Sequence, residues 1–318
     1  MGEYRHGEGQ AMGRQQAAVE IYPRNLDRVV AGLRDARREW RQGHDRHAEQ
    51  GIEFPSRRVL ARLLRELGTA LFPLRLGPPK LTASNENAWV EATLESTLSQ
   101  LGAQIELELR IARPGISRIE EGYAVEHILT DFAESLPGIR RLLDADVAAG
   151  YANDPAARSV DEVLLSYPSI AAIIHHRLAH RLHALGAPLV SRIISEIAHG
   201  ETGIDIHPAA RIGHSFFIDH GTGIVIGETA VIGDRVRIYQ GVTLGGEPVA
   251  PGAAHAASSR IRRHPQIGDD VVIFPGAVLL GPIRVGARSR IGGNVWLRGD
   301  VPDDSLVELP APRVRPID

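Results

Sequence analysis

The chain has 318 residues, enough for two structural regions, and 43% hydrophobic and 24% charged residues, as in an ordinary soluble protein. A net charge of −3 excludes the strongly basic surface typical of nucleic-acid binding, so no nucleic-acid partner is expected. Cysteine is absent, which excludes disulfides and thiol-ligated metal sites and is consistent with a cytoplasmic location. No run of eighteen apolar residues occurs, so no membrane partner is expected.

The N-terminal part of the chain has the pattern of a helical region. Residues 1–25 are polar and lack the apolar stretch of a signal peptide, and we predict that they are disordered. From residue 26 to residue 203, apolar residues recur at intervals of three and four, as in the segment from Val125 to Phe132. This spacing predicts an α-helical domain over 26–203.

After Gly203 the apolar period changes to six residues. Each unit begins with an aliphatic residue, and glycine often follows it. The units start at Ile206, Ile212, Ile218, Ile226, Ile232, Ile238, Leu244, Ile267, Ile273, Leu279, Val285, Ile291 and Leu297. Hexapeptide repeats are typical of parallel β-helices, in which three short strands and three turns form one triangular coil with the aliphatic residues inside. The sequence therefore predicts an α+β fold with a left-handed parallel β-helix over 204–300.

Two segments do not follow the six-residue period. Residues 245–266 are rich in proline, glycine, alanine and serine, and we predict a loop that leaves one corner of the β-helix. Residues 301–318 are predicted to form a C-terminal tail. Because inserted loops on solenoids often carry function, the first of these segments is a candidate part of a site.

The polar residue that stands out within the repeats is His220. It lies in the run Asp-His-Gly-Thr-Gly, where glycines open the backbone around it. Asp205 precedes it by fifteen residues, close to one coil of about eighteen, so the two side chains are expected to be neighbours. A carboxylate next to an imidazole holds one tautomer of a histidine that accepts a proton from a hydroxyl. His207 and His214 are interpreted as solvated corner residues.

Several segments resemble the serine acetyltransferases. They are DIHPAARIG at 205–213, IDHGTGIVIGETA at 218–230, VTLGG at 242–246, RHPQIG at 263–268 and, upstream, NDPAA at 153–157. The resemblance covers roughly residues 150–300, and other hexapeptide acyltransferases share the period but not the second segment. It implies transfer of an acetyl group from acetyl-CoA to L-serine, which gives O-acetyl-L-serine and CoA in the first step of cysteine biosynthesis.

The resemblance also implies roles for individual residues. His220 would be the general base that takes the proton from the serine hydroxyl, and Asp205 would orient it. Asp154 and Asp219 would face the substrate ammonium. The acetyl group would pass directly to serine, with no acyl-enzyme, although the absence of cysteine excludes only a thiol nucleophile.

The remaining roles concern the substrate carboxylate and the co-substrate. Arg263 and His264 would hold the carboxylate by charge-assisted hydrogen bonds. Acetyl-CoA would bind without a metal, in a groove between neighbouring subunits, against the backbone of Gly245, Gly246, Gly276 and Ala277. Since a site between subunits requires an oligomer, we expect a homotrimer or a dimer of trimers.

The resemblance implies two further partners. L-cysteine is expected as a feedback inhibitor at the serine site. Many members of the family end in isoleucine and dock that terminus into O-acetylserine sulfhydrylase. This chain ends Pro316-Ile317-Asp318, which argues against such docking.

The residues alone leave alternatives open. Another acetyl-CoA-dependent O-acetyltransferase of the same fold, with a homoserine-like or sugar acceptor, would keep His220 but would not need two carboxylates for an ammonium. A γ-type carbonic anhydrase would need three histidines on zinc, and the spacing of His207, His214 and His220 counts against it. A non-catalytic assembly partner would not need the Asp205–His220 pair. The histidines at 175–183 have i,i+4 spacings that would suit metal ligands on one face of a helix. The same pattern is more typical of an amphipathic helix packed near the site.

Overall fold

The structure of the protein is a computed structural model. It describes residues 25–43, 53–247, 262–313 and 315. The chain divides into two compact units, Met1–Ile52 and Glu53–Asp318. The first contributes helix α1 (Leu26–Gly43), and the second contains the other described helices and all described strands. The segment predicted to be disordered, 1–25, lies outside the described residues except for Asn25, whose carbonyl accepts a hydrogen bond from Val29 at the start of α1.

Local sequence signals account for several ends of the helices in the second unit. These helices are α2 (Arg57–Leu71), α3 (Pro73–Leu76), α4 (Glu86–Ala112), α5 (Arg118–Asn153), α6 (Val160–Ser166), α7 (Pro168–Ala184) and α8 (Pro188–Thr202). Ser56, Ser117 and Ser159 cap three of the N-termini by accepting a backbone N–H of the first turn. Gly203 ends α8 in the left-handed conformation that glycine adopts without strain. Among the described helices, none combines the length and apolar character that a membrane crossing requires.

The helices of this unit share one apolar core with the strands. Leu60, Leu63 and Leu67 of α2 are buried where α2 packs against α4. The core continues without interruption into the aliphatic residues of the β-helix, including Ile206 and Ile218 of its first coil. Since full burial of such a side chain is worth about 1.5–3 kcal/mol, this shared core holds the helices and the first coil together.

The strands form three parallel sheets that are the faces of a β-helix. They are β1 (Asp205–Ile206), β2 (Arg211–Ile212), β3 (Phe217–Asp219), β4 (Val225–Ile226), β5 (Val231–Ile232), β6 (Arg237–Tyr239), β7 (Thr243–Gly245), β8 (Gln266–Ile267), β9 (Val272–Ile273), β10 (Val278–Leu280), β11 (Arg284–Val285), β12 (Arg290–Ile291), β13 (Trp296–Leu297) and β14 (Leu306–Val307). The first sheet has the order β1-β4-β7-β10-β13, the second β11-β8-β5-β2 and the third β14-β12-β9-β6-β3. From β1 to β13, successive strands along the chain therefore belong to successive faces.

The coils do not all have the same length. Asp205 pairs with Val225 one coil later, and Val225 pairs with Thr243 one coil after that. The first of these coils is therefore longer than the second by two residues. The additional length lies in the turn after β3, where His220, Gly221 and Gly223 all have positive φ. This longer turn changes the alignment between the first coil and the second, and it determines where His220 lies.

Two predicted boundaries differ from the structure. Pairing continues past residue 300, because Val301 bridges to Val285 and β14 pairs with β12. The predicted tail at 301–318 therefore starts too early. The last coil, from Arg290 to its partner Leu306, has fewer residues than the coil before it, from Val272 to Arg290. The six-residue period is therefore lost in the last coil, and the sequence pattern does not show that the β-helix continues. The predicted loop at 245–266 starts at Gly245 in β7 and ends at Gln266 in β8, and residues 248–261 lie outside the described part of the chain.

A buried ion pair joins the helices to the first coil. Arg177 of α7 donates hydrogen bonds to both carboxylate oxygens of Asp146 in α5, at 3.0–3.1 Å. The same guanidinium donates to the carbonyls of Ile212 and Gly213 at 2.6 Å, and Asp146 accepts the N–H of Phe216. Helices α2–α8 are therefore in one compact unit with the β-helix, so the boundary predicted after residue 203 does not separate two units.

Candidate active site

His220 lies in the turn that joins β3 of the third sheet to β4 of the first sheet. Its φ of 61° is in the left-handed region, which is uncommon for a residue with a side chain. Gly221 follows with φ 99°, and a Cβ atom there would lie 2.6 Å from the side chain of Ile204. Glycine is required at this position for both reasons, and the resulting turn leaves the imidazole 75% exposed.

A group of polar residues surrounds this turn, and we call it the His220 cluster: Asp154, Tyr167, Asp219, His220 and Arg237. Nε2 of His220 lies 3.8 Å from Oδ1 of Asp219, which ends β3 and is almost fully buried. Arg237 of β6, in the next coil, donates a hydrogen bond to the other carboxylate oxygen. The charge of Asp219 is therefore compensated by a fixed cation on the side away from the imidazole.

Arg237 is held in place by aromatic rings. Its guanidinium carbon lies 5.5 Å from the ring centroid of Phe217 and 4.7 Å from that of Tyr239, within the range of cation–π attraction. Tyr239 also stacks on Phe274 at 5.5 Å. These contacts fix the guanidinium beside Asp219.

Asp154 caps the C-terminus of α5 next to the same turn. Its Oδ2 accepts a hydrogen bond from the hydroxyl of Tyr167, and its Oδ1 accepts the N–H of Ala156 at 2.8 Å. These bonds lower the pKa of Asp154 below its usual value, and the positive charge of Arg237 acts in the same direction. The same carboxylate raises the pKa of Tyr167 to about 12. Asp154 is therefore held in its ionised form.

Asp205, which is predicted to orient His220, makes no hydrogen bond or ion pair with it among the described contacts. Asp205 opens β1, and its backbone N–H donates to the carbonyl of Ile224 at 2.9 Å, directly after the His220 turn. Among the described residues, no group donates a hydrogen bond to its carboxylate. The carboxylate that the structure places 3.8 Å from Nε2 of His220 is that of its sequence neighbour Asp219. The orienting role of Asp205 stays a prediction.

Arg263 and His264 lie at a different corner, where the chain enters β8 of the second sheet. With Glu228 and Thr229 they form what we call the His264 cluster. His264 is only 5% exposed, and its Nδ1 lies 2.8 Å from Oγ1 of Thr229. Arg263 pairs with Glu228 at 3.3 Å. Burial lowers the pKa of His264 and the charge of Arg263 adds to this effect, while Glu228 opposes it.

The predicted site residues thus fall into two groups within one chain. Asp154, Asp219 and His220 lie at the corner between the third and first sheets. Arg263 and His264 lie at the corner between the first and second sheets, one face of the triangle away. The described chain does not bring the two groups together.

The glycines predicted to contact acetyl-CoA are divided in the same way. Gly276 and Ala277 lie in the turn before β10, two coils below His220, while Gly245 and Gly246 lie at the His264 corner. Gly276 belongs to a column at the His220 corner: a Cβ on Gly223 would lie 3.7 Å from Gly241, and one on Gly241 would lie 3.5 Å from Gly276. This column exposes backbone along the edge below His220.

The histidines of α7 do not form a metal site. His175 and His176 are buried, and His180 lies with Nδ1 2.8 Å from the carbonyl of Pro208. Burial lowers the pKa of His176 well below its usual value. His183 instead contacts the ring of His207 edge-on, at 6.2 Å. In the part of the chain that the structure describes, no group of three or more histidines and carboxylates is arranged to hold a metal ion.

The three histidines of the carbonic anhydrase alternative also lie apart. His207 contacts His183, His214 pairs with Asp234 at 3.1 Å, and His220 is beside Asp219. Their different partners give no common metal-binding point.

Comparison with known proteins places the chain in a family. Residues 264–299 match the family model described as Bacterial transferase hexapeptide (six repeats). The chain is 48% identical over 287 residues to the protein named "Serine acetyltransferase, plasmid" of Synechococcus elongatus, an alignment that covers 89% of this chain and 90% of the relative. The chain belongs to the serine acetyltransferase family. This membership confirms the predicted resemblance, the acyltransferase class and the assignment as a serine O-acetyltransferase at the level of the family.

Solved structures of the family support the same conclusion. Serine acetyltransferase isoform 3 of Entamoeba histolytica, in complex with cysteine, has a TM-score of 0.66 and 36% identity, with 80% of this chain and 84% of that chain covered. Serine acetyltransferase of Neisseria gonorrhoeae, in complex with serine, has a TM-score of 0.52 and 33% identity, with 79% and 97% covered. The predicted α+β fold with a left-handed β-helix is confirmed by this family relationship and the repeat match.

Several residues at these corners were not identified from the sequence. Tyr167, Arg237 and Thr229 each hold a predicted site residue by a hydrogen bond. Alignment of the coils would have indicated the glycine column, since Gly223 and Gly241 occupy equivalent positions in successive coils. No local signal marks Tyr167, which follows a short helix.

Proposed function

We propose that this chain catalyses acetyl transfer from acetyl-CoA to the hydroxyl of L-serine, which gives O-acetyl-L-serine and CoA for cysteine biosynthesis. The observation that carries the proposal is the His220 cluster, in which an exposed imidazole lies beside the ordered carboxylate of Asp219 and interacts electrostatically with a second, Asp154. An imidazole suits a general base near neutral pH. Two carboxylates beside the single cation of Arg237 leave one net negative charge, which suits an ammonium group. An amino acid acceptor fits this arrangement better than a sugar does.

The proposed reaction proceeds in one displacement. His220 takes the proton of the serine hydroxyl while the oxygen attacks the thioester carbonyl carbon. The new C–O bond forms, the C–S bond breaks, and the CoA sulfur leaves with the proton returned by the imidazolium. Asp205 is proposed to orient His220; its place beside the His220 turn and its unused carboxylate, among the described residues, support this role.

The substrate is proposed to be held at both of its charged ends. Asp154 and Asp219 would bind the ammonium. Arg263 and His264 would bind the carboxylate by charge-assisted hydrogen bonds. Because these two pairs lie at different corners of one chain, we propose that the His220 corner of one subunit meets the His264 corner of a neighbouring subunit in a homotrimer or a dimer of trimers.

Acetyl-CoA is proposed to bind in the groove between those subunits. The glycine column below His220, which ends at Gly276, supports this placement because a thin ligand can approach backbone that carries no side chains. Gly276 and Ala277 of one subunit and Gly245 and Gly246 of its neighbour would line the two sides.

L-cysteine is proposed as an inhibitor that competes with serine. It has the same ammonium and carboxylate groups, so the same four binding residues would hold it. The cysteine complex of the Entamoeba histolytica relative supports this proposal. L-cysteine should therefore raise the apparent KM for L-serine.

The proposed function is tested by CoA release from acetyl-CoA with L-serine, with L-homoserine and with no acceptor. We expect release with L-serine, and we expect His220→Ala to reduce kcat by about 10²–10⁴-fold, the usual contribution of a general base. His214→Ala is the matched control, because His214 lies at another corner and should leave the rate unchanged. No serine-dependent release, or equal rates in the two variants, would contradict the proposal.

A further inference from the structure

The turn at residues 227–230 makes an unusual set of hydrogen bonds to the chain that enters β8. The turn is closed by a bond from the N–H of Ala230 to the carbonyl of Gly227, at 3.1 Å. Oγ1 of Thr229 accepts the backbone N–H of Arg263 at 3.0 Å and that of His264 at 3.1 Å. It also lies 2.8 Å from Nδ1 of His264. One hydroxyl therefore contacts three polar groups of the Arg263–His264 pair.

The direction of these bonds follows from the chemistry of a hydroxyl. Threonine has one O–H donor and two acceptor lone pairs. The two backbone N–H groups occupy both lone pairs, so the hydroxyl proton of Thr229 is left to donate to Nδ1 of His264. The backbone N–H of Thr229 also points to this nitrogen, at 3.1 Å. Since both neighbours are donors, Nδ1 must be an acceptor and the ring proton of neutral His264 is on Nε2.

The space around the ring supports a fixed orientation. A Cβ atom on Gly227 would lie 2.0 Å from Cδ2 and Nε2 of His264, so the imidazole occupies the place of a side chain at 227. A Cβ on Gly246 would be 3.3 Å from Nε2. Glycine at both positions keeps side chains away from the Nε2–H group.

The coil above lacks this arrangement. His207 aligns with Gly227, and Ala209 aligns with Thr229, so no hydroxyl is present there.

The titratable or charged groups around His264 are Arg263, Glu228 and His207, and burial lowers the pKa of His207 to about 4. Arg263 is therefore the cation beside a neutral His264 at neutral pH.

We propose that Thr229 is a positioning residue that fixes the tautomer of His264 and aligns Arg263 with it, so that Nε2–H and the guanidinium are directed at a substrate carboxylate. The part of this inference that concerns the substrate carboxylate rests on the proposed function. The tautomer of His264 does not depend on the proposed function.

The test compares Thr229→Val, which removes the hydroxyl with little change of volume, with Thr229→Ser, which keeps it. In full-length protein labelled with ¹⁵N-histidine, the ring signals of His264 are identified by their loss in His264→Gln. We expect the Nε2–H tautomer in the unsubstituted protein and in Thr229→Ser. We expect a changed tautomer pattern in Thr229→Val.

The kinetic part of the test measures each KM separately. Thr229→Val should raise the KM for L-serine about tenfold, the loss expected for one buried hydrogen bond, with the KM for acetyl-CoA unchanged. Thr229→Ser should stay within about twofold. Thr93→Val is the matched control, because the hydroxyl of Thr93 donates within its own helix α4, to the carbonyl of Trp89, and has no other hydrogen bond among the described residues.

The outcomes separate this inference from the proposed function. A ring proton on Nδ1 of His264 in the unsubstituted protein overturns the inference even if Thr229→Val does not fold. Unchanged ¹⁵N signals or an unchanged KM for L-serine in a folded Thr229→Val also overturn it. If the Nε2–H tautomer is found but the unsubstituted protein releases no CoA with L-serine, the proposed function fails and the carboxylate role fails with it, while the fixed tautomer stands.

Discussion

At the scale of single residues, each carboxylate of the His220 cluster is held by a different kind of partner. Asp219 is bound by the cation of Arg237, whereas Asp154 is bound by the neutral hydroxyl of Tyr167. A neutral donor orders a carboxylate without cancelling its charge. Asp154 therefore retains the negative charge that a substrate ammonium needs, and Tyr167 controls its position.

The first prediction concerns this bond. We expect Tyr167→Phe to raise the KM for L-serine about tenfold, since a hydrogen bond to a charged group is lost, and to leave the KM for acetyl-CoA unchanged. Tyr123→Phe serves as the control, because Tyr123 is an exposed residue of α5. Equal serine KM values in the two variants would show that the bond does not position Asp154.

The second prediction gives the pH dependence of the same residue. The bond from Tyr167 lowers the pKa of Asp154, so the carboxylate stays charged to lower pH than an ordinary aspartate, whose pKa is about 3.9. Without this bond the pKa of Asp154 rises. In Tyr167→Phe the loss of serine binding on the acid side should therefore begin at higher pH, as measured by the KM for L-serine between about pH 3 and 6.

At the scale of elements, α5 connects the helices to the first coil through one buried charge. Burial raises the pKa of Asp146, while the charge of Arg177 and the N–H of Phe216 oppose this effect. The pair spans α5, α7 and the turn before β3. Removing one partner leaves the other charge buried and unpaired.

The third prediction follows from that pairing. Asp146→Ala should lower the free energy of unfolding by about 3–5 kcal/mol, since Arg177 would remain buried without a counter-charge. The control is Asp144→Ala in the same helix, which removes an exposed pair with Arg140 and should cost less than about 1 kcal/mol. Urea unfolding monitored by circular dichroism measures both values, and similar losses would contradict the prediction.

At the scale of the whole molecule, the predicted binding residues lie at two corners separated by one face of the β-helix. A rigid coil cannot fold its own corners together. A second copy of the chain, placed so that unlike corners meet, is the arrangement that completes the proposed site.

The fourth prediction tests whether the site is shared. Chains with His220→Ala and chains with Arg263→Ala should each be nearly inactive, but their co-expressed mixture should recover about a quarter of the sites if subunits combine at random. The assay is CoA release by the purified mixed assembly. His220→Ala mixed with Asp219→Ala is the control and should recover nothing, because both residues lie at the same corner of one chain. Failure of the first mixture would place the site within a single chain.

The architecture was predictable from the sequence because a repeat is a local pattern. The aliphatic residues from Ile206 to Leu297 mark the strands without any knowledge of distant contacts. The Gly-rich turn after His220 was visible for the same reason. The C-terminal end of the β-helix was less visible, since the last step, from Arg290 to Leu306, is shorter than the one before it.

The contacts that position the site were decided by the tertiary structure alone. Tyr167 reaches Asp154, Arg237 reaches Asp219 and Thr229 reaches His264, each across a long stretch of chain. Hydrogen bonds require distances within a few tenths of an ångström, which a residue pattern does not specify. The first coil illustrates this: its step is longer than the next one, and the register of a coil depends on the exact length of each turn, which the six-residue period does not specify.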